Sequence, residues 1–221
     1  MKARGVIPWL GAGLVALTWI LASGGAARAE RANAADSMSD LELAVLEEQN
    51  LARTNPRAYA GHVEKWLAYY HGKTRALPGR PSIRTVEGKQ GVVEAIEFLR
   101  AQAPVPPLKA ARGLARAARD HVVDTGRKGW MGHVGSDDSE PGDRVSRYGK
   151  WYRRVGENIT YGGADARELV IRLIIDDGIK DRGHRANIFN AEFSLAGVAF
   201  GSHADFGTMC VTTYAGDFEE F

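Results

Sequence analysis

Apolar positions recur at helical spacing over much of the chain and alternate only near its end. Leu41, Ala44 and Val45 share one helical face, with Glu48 completing the period. Ser39 precedes them and Glu42 follows it by three, a capping box that predicts a helix start at Ser39. Pro56 interrupts the pattern, and residues 57–70 resume it through Ala58, Val63, Trp66 and Leu67. Residues 71–88 carry Gly, Pro and scattered charge without a period and read as a loop or surface excursion. Val92, Ala95, Ile96 and Leu99 predict a short helix over 90–101, stopped by Pro104, Pro106 and Pro107. Leu114, Ala117, Ala118, His121 and Val122 predict another over 110–126, with Gly126 as its end cap.

The stretch 127–154 is polar and rich in Gly, Ser and Asp, a length that marks a functional loop or one with short structure of its own. Asp165 and Glu168 form a second capping box ahead of Leu169, Val170, Leu173 and Ile174. Leu195–Phe200 and Thr208–Tyr214 are β-type runs joined by polar residues 202–207, which predicts a hairpin. Helices first and strands late indicate an α+β layered domain.

The N-terminus follows a different pattern. Lys2 and Arg4 precede an apolar stretch from Val6 to Leu21, then small residues and Ala27-Arg28-Ala29. That order is a secretory signal, with cleavage expected after Ala29. The apolar run, about 16 residues, falls short of the roughly 20 that a spanning helix needs. Residues 1–29 are therefore read as a signal peptide, 30–38 as a flexible lead-in and 39–219 as one domain, secreted or periplasmic with no membrane span left after cleavage. The formal net charge is +2 with acids and bases mixed, which argues against a nucleic-acid partner. Cys210, in the apolar run Met209-Cys210-Val211, is the single cysteine and reads as buried and inert.

Three strings carry candidate chemistry: Gly132-His133-Val134, Gly156-Glu157-Asn158 and Gly183-His184-Arg185-Ala186-Asn187. Each sets a titratable side chain beside a glycine, and His and Glu both move protons and bind zinc. His121 falls on an apolar helix face and reads as a satisfied core histidine, whereas His62, His71 and His203 read as surface groups. Asp143 with Arg144 reads as a local ion pair. Trp130, Trp151, Tyr152 and Tyr161 flank the motif loops and read equally as cleft wall or core.

In their order, these three strings resemble the successive motifs of the CAP superfamily, or SCP domain. The Gly-His-Arg-x-Asn string is similar to its bacterial branch. Asn50-Leu51-Ala52-Arg53 and the closing Ala215-Gly216 resemble the family as well, so the likeness runs from about Ser39 to Gly216. The resemblance implies a three-layer α-β-α sandwich with a cleft, and a cavity lined by two His and two acids. His133, Glu157 and His184 carry over directly. The fourth position falls on Asp176 or Asp177, with Asp177 preferred as nearer the turn at Gly178; this chain has Ile174-Ile175-Asp176-Asp177 where the family usually carries a Trp and often a Glu. Asn158, Arg185 and Asn187 are expected to support the site.

Two imidazoles and a carboxylate can hold zinc through His133 and His184 with an open position, or bond one another and stiffen the cleft. Three readings follow. The first is a secreted binding module taking a small apolar molecule or an extended peptide. The second is a metal-assisted hydrolase with Glu157 as general base, although no His-Glu-x-x-His string occurs. The third is a structural or interaction domain of the cell envelope.

Overall fold

The apolar runs near the end of the chain build the sheet on which the rest is laid. β6 (Leu195–His203) and β7 (Gly207–Glu220) form the expected hairpin, both longer than the apolar runs alone. β5 (Gly149–Tyr161) adds antiparallel to the other side of β7, and β4 (Lys109–Ala110) adds parallel to β6, giving the order β4-β6-β7-β5. The computed structural model describes residues 38–221; the expected signal peptide and the lead-in up to residue 37 lie outside the described residues. Met38, placed at the end of the lead-in, is buried, and its sulfur accepts from the Val198 N–H at 3.4 Å.

Helices cover both faces of this sheet. On one face lies α4 (Arg112–Gly126), which packs along β6 and β7. Ala118 and Val122 of α4 meet Ile159, Ala199, Met209 and Val211. The helix sits close because Gly197 faces it: a Cβ there would overlap the Ala115 backbone. On the opposite face lie α1 (Asp40–Thr54), α2 (Pro56–Trp66), α3 (Lys89–Ala101), α6 (Ala166–Ile175) and α7 (Gly183–Phe189). Their apolar faces join Ala196, Val198, Cys210 and Tyr214 in one core. Strand alternation explains the division, since neighbours along β6 point to opposite layers. The result is the expected α+β sandwich of α-β-α type. Cys210 is buried as expected, and burial pushes its thiol up to about 12.

The segment read as a loop at 71–88 holds three two-residue strands, β1 (Tyr70–His71), β2 (Thr74–Arg75) and β3 (Ile83–Arg84), paired antiparallel as a small separate sheet. Each is too short for period-two alternation to register. The long polar stretch also carries order: α5 (Pro141–Ser146) and the first residues of β5 fall within it. Of those first strand residues, 150–154 are exposed, and a register shift separates Tyr152 from Val155. Among the described residues, no helix is long and apolar enough to cross a membrane.

Two local expectations are corrected. Gly126 ends α4 as its last helical residue rather than as a left-handed cap; its role is steric, since a Cβ would strike the Ser202 carbonyl. Before α6, Asp165 does accept from the Glu168 N–H at 2.9 Å, but Glu168 points instead to Arg80 at 2.5 Å. A tertiary cation outcompetes the reciprocal half of that capping box.

Candidate functional site

The free edge of β5 is where the chemistry-bearing strings meet. Glu157 and Asn158 are adjacent on this strand and so point to opposite layers. Glu157 shares its face with Ile159, which packs on α4. Asn158 turns to the other layer and donates to the His184 carbonyl at 2.9 Å and to the Tyr214 hydroxyl at 3.1 Å. One strand edge thus fixes a loop from the first helical layer and a helix from the second.

His133 sits on the loop after α4, and its Nδ1 lies 2.9 Å from Glu157 Oε1. The Glu157 side chain is 1% exposed, and the Arg144 side chain, 2% exposed, donates to both its oxygens at 2.9 and 3.1 Å. Arg144 also donates to the carbonyls of His133 at 3.0 Å and Ser139 at 2.7 Å, which ties the loop down. The Arg144 expectation is corrected here. Asp143 instead accepts from the Glu140 N–H, leaving Arg144 to neutralise the cavity acid. Sequence reasoning missed this because the pairing spans loop and strand, and no local spacing encodes it.

His184 is built differently. Asp176 ends α6 in the left-handed conformation, φ 55° and ψ 46°, and turns its carboxylate onto the start of α7. Its Oδ1 lies 2.6 Å from His184 Nδ1, and its Oδ2 accepts from the backbone N–H of His184 at 3.0 Å and of Arg185 at 3.3 Å. Asp176 and Asp177, the two candidates for the fourth cavity acid, both line the cavity, and Asp176 rather than the preferred Asp177 is the one bonded to the second imidazole. Asp177 accepts from the backbone N–H groups of Val86 and Glu87 at 2.7 and 2.8 Å, holding the segment that precedes α3. The left-handed turn at Asp176 swings consecutive carboxylates to different partners, which a helical continuation would not do.

The supporting residues act as scaffold. Asn187 donates to Asn158 Oδ1 at 2.9 Å and to the Glu157 carbonyl at 3.3 Å. Arg185 is buried, forks onto Glu94 at 2.6 Å through both terminal nitrogens, and lies over Phe98 at 4.8 Å. Arg182 grips Glu87 at 2.5 Å and holds that carboxyl down to about 2. His121 is fully buried as expected, and its Nε2 donates to the Gly132 carbonyl at 2.8 Å. Its Nδ1 has no partner among the described residues, and burial lowers its pKa. The surface reading of His203 is corrected: it is 2% exposed, accepts from the Asp205 and Phe206 N–H groups, and meets the Tyr161 ring at 5.0 Å. The tight β6–β7 turn folds it inward.

A cavity of about 1010 Å³ opens at this edge. His133, His184, Asp176, Asp177 and Tyr161 line it, and Glu157 stands behind His133 rather than on the wall. Of the four aromatics flanking the motifs, only Tyr161 lines the cavity; Trp130, Trp151 and Tyr152 are exposed elsewhere. Tyr161 also accepts from the Gly132 N–H at 3.0 Å, which braces the His133 loop. Strands β1–β3 contribute one side of the cavity, through Tyr70, Arg75, Ile83 and Arg84.

A carboxylate accepts, so each neutral imidazole donates from Nδ1 and keeps Nε2 as its open acceptor. This is the orientation that an outer carboxylate gives to a metal-binding histidine. Both acids are spent on their own histidines, and no three His, Cys, Asp or Glu side chains gather as a ligand group among the described residues. His133 and His184 are two imidazoles on the cavity wall, each with Nε2 left open.

Comparison with known proteins gives the family of the chain. Residues 93–214 match the family model described as CAP, the cysteine-rich secretory protein family. That segment holds His133, Glu157, Asp176 and His184 and leaves out β1–β3. Over 128 residues the chain is 29% identical to the uncharacterized protein YkwD of Bacillus subtilis (strain 168), a match over 58% of this chain and 48%, or about half, of that protein. An extracellular protein containing a SCP domain from Bacillus anthracis str. Ames is 21% identical, with a TM-score of 0.40 over 56% of this chain and 38% of that one. An outer surface protein from Borrelia burgdorferi is 14% identical, with a TM-score of 0.44 over 58% of this chain and 91% of that one.

Proposed function

The chain belongs to the CAP, or cysteine-rich secretory protein, family, and from that premise we propose that it is an exported binding module whose cavity takes a small apolar molecule or an extended peptide. The observation that carries this reading is the open cavity of about 1010 Å³ at the β5 edge, with two imidazoles set among apolar side chains. Its size is at the upper end of small-molecule sites, roughly 300–1,000 Å³. Export rests on the basic, apolar and small-residue order of residues 1–29. A hydrolytic role for Glu157 has less support, because Arg144 and His133 already hold both its oxygens behind the wall.

The same two imidazoles are a candidate holder for a divalent cation such as zinc. When bound, such an ion supplies Lewis acidity at the cavity wall. His133 and His184 would hold it from Nε2, while Glu157 and Asp176 keep the rings in place.

Two measurements test the proposal. Native mass spectrometry of the exported protein, purified without detergent, should show a bound apolar or peptidic mass that denaturation releases. Ligand-free protein that also captures nothing from a lipid and peptide extract would refute the binding reading. Zinc titration should give one ion per chain, lost when His133→Ala and His184→Ala are combined. Undiminished binding by that double variant would remove the two histidines from the metal assignment.

A further inference from the structure

The two edges of the main sheet are finished differently. Beyond its short pairing with β4, β6 is an edge that the chain itself closes. The Val198 N–H donates to the Met38 sulfur at 3.4 Å, and the Phe200 N–H donates to Glu42 Oε1 at 2.7 Å. Side chains thus occupy donors that would otherwise recruit another strand. β5 forms the opposite edge.

In an antiparallel pair, alternate residues turn both N–H and C=O to the partner strand, and the residues between them turn both away. Gly162 donates to the Thr208 carbonyl at 2.7 Å, and the register back to Val155 is unbroken, so Thr160 and Asn158 also face β7. Glu157, Ile159 and Tyr161 therefore turn outward. Two of their carbonyls are served by side chains, that of Glu157 by Asn187 at 3.3 Å and that of Tyr161 by Arg172 at 2.6 Å. Between these two stoppers, the Ile159 N–H and C=O and the Tyr161 N–H have no partner among the described residues. Both residues line the cavity, and Ile159 is 6% exposed. Backbone groups in such surroundings are almost always paired, and donors and acceptors at strand spacing match another strand.

We propose that the β5 edge between Asn187 and Arg172 is a strand-addition site, at which the cavity takes an extended peptide segment as a fifth strand of the sheet. This rests on the binding reading above and selects the peptide from its two ligand classes. A peptide residue set antiparallel and opposite Ile159 exchanges both hydrogen bonds with it, and the carbonyl two residues earlier accepts from the Tyr161 N–H. The side chain of that central residue falls on the face of Ile159. Those of its two neighbours fall on the face of Thr160, toward Leu173 and Ile175 of α6, which line the cavity from that layer. The segment recognised is therefore one with an apolar residue on either side of the central position.

Backbone hydrogen exchange followed by NMR on the exported protein tests this. In the free protein the Ile159 amide should exchange at least about tenfold faster than those of Asn158 and Thr160, the equivalent of one hydrogen bond. The probe is a pool of blocked pentapeptides with leucine at the second and fourth positions and a mixed centre. Its binding should slow exchange at Ile159 and Tyr161 by about tenfold or more and leave Asn158 and Thr160 unchanged. N-methylation of the central peptide residue removes the donor to the Ile159 carbonyl and should weaken binding about tenfold or more. N-methylation of the fourth residue, whose N–H points away from β5, should have no more than a small effect. Equal protection of the three amides in the free protein, or affinity that ignores the position of the methyl group, overturns strand addition and leaves the binding cavity standing. A pool that does not bind also overturns strand addition, and a bound apolar mass in native mass spectrometry then keeps the broader reading, whereas its absence removes both.

Discussion

His133 and His184 line one cavity, yet the carboxylate behind the first is held by a buried guanidinium and the carboxylate behind the second by backbone amides. Glu157 keeps Arg144 whether or not His133 is present. Among the described residues Asp176 has no such cation, and its remaining side-chain partners are two N–H groups at the start of α7. The first pair therefore separates fold from site, because its imidazole side chain is 45% exposed and expendable to packing. The second joins them, because the same carboxylate ends α6, starts α7 and orients the ring.

The sharpest break of this comparison is Arg144→Met. It leaves Glu157 buried without its cation and frees the His133 and Ser139 carbonyls. Losing one partner of a buried ion pair costs about 3–5 kcal/mol, so the unfolding free energy from urea titration should fall by that amount at neutral pH. Adding Glu157→Gln should restore part of the loss, since the stranded acid is then gone. A loss below about 1 kcal/mol would mean that the first pair is not anchored as described.

Asp176→Ala comes next. It strips the acceptor from the His184 and Arg185 N–H groups and places alanine at φ 55°. Unsatisfied buried donors cost about 1–3 kcal/mol and left-handed strain adds roughly 1–2, so a total near 3 kcal/mol is expected in denaturant unfolding. Asp176→Asn keeps an acceptor and tolerates the left-handed backbone, so it should lose about half as much. Equal losses would show that charge, rather than backbone geometry, is what Asp176 supplies.

The two halves of the site also differ in how much the sequence revealed. His133, Glu157 and His184 stand in short strings and were found from them. The choice between Asp176 and Asp177 is not encoded in spacing, because a single left-handed residue decides which carboxylate meets His184. Arg144 was illegible as a site residue, since its partner lies on a different element. The same division holds for the elements. The capping box at Ser39 and the β6–β7 hairpin are local patterns and read correctly, with Glu42 returning to the Ser39 N–H at 2.7 Å. The start of β5 is exposed and polar, so no hydrophobic period marks it as strand. His203 is buried through the turn geometry of β6–β7, which composition does not show.

A pH series sharpens the comparison from the first side. His121 braces the loop of His133 through Gly132 and sits among Glu157, Arg144 and His133. Burial lowers its pKa from 6.5, ahead of the opposing pull of Glu157. The unfolded chain then takes up a proton near pH 6.5 that the folded chain refuses. Stability is full above that value and falls as the pH drops through it toward the folded-state pKa, by at most about 1.4 kcal/mol per pH unit for one proton. His62, also lowered by burial, adds to the slope in the same direction. His121→Gln retains a donor for Gly132 and removes the titration, so its acid slope should be shallower than that of the parent. An unchanged slope between pH 6.5 and 5 would dismiss His121 as the source.

The smallest expected effect tests the comparison most directly. His133→Ala removes a side chain that is nearly half exposed, and Glu157 keeps two contacts to Arg144. Its cost should stay below about 1 kcal/mol, within the range of exposed polar contacts. His184→Ala removes a ring that is 24% exposed and the shortest contact of Asp176, so it should cost about 1–2 kcal/mol. Both variants should be measured without added metal, so that any difference comes from the protein's own bonds. If the order is reversed, the loop bearing His133 depends on its imidazole more than on Arg144, and the separation of fold from site at the first pair fails. If it holds, His133 is the position at which recognition can be altered with the least penalty to folding, whereas a change at His184 also acts on the junction of α6 and α7.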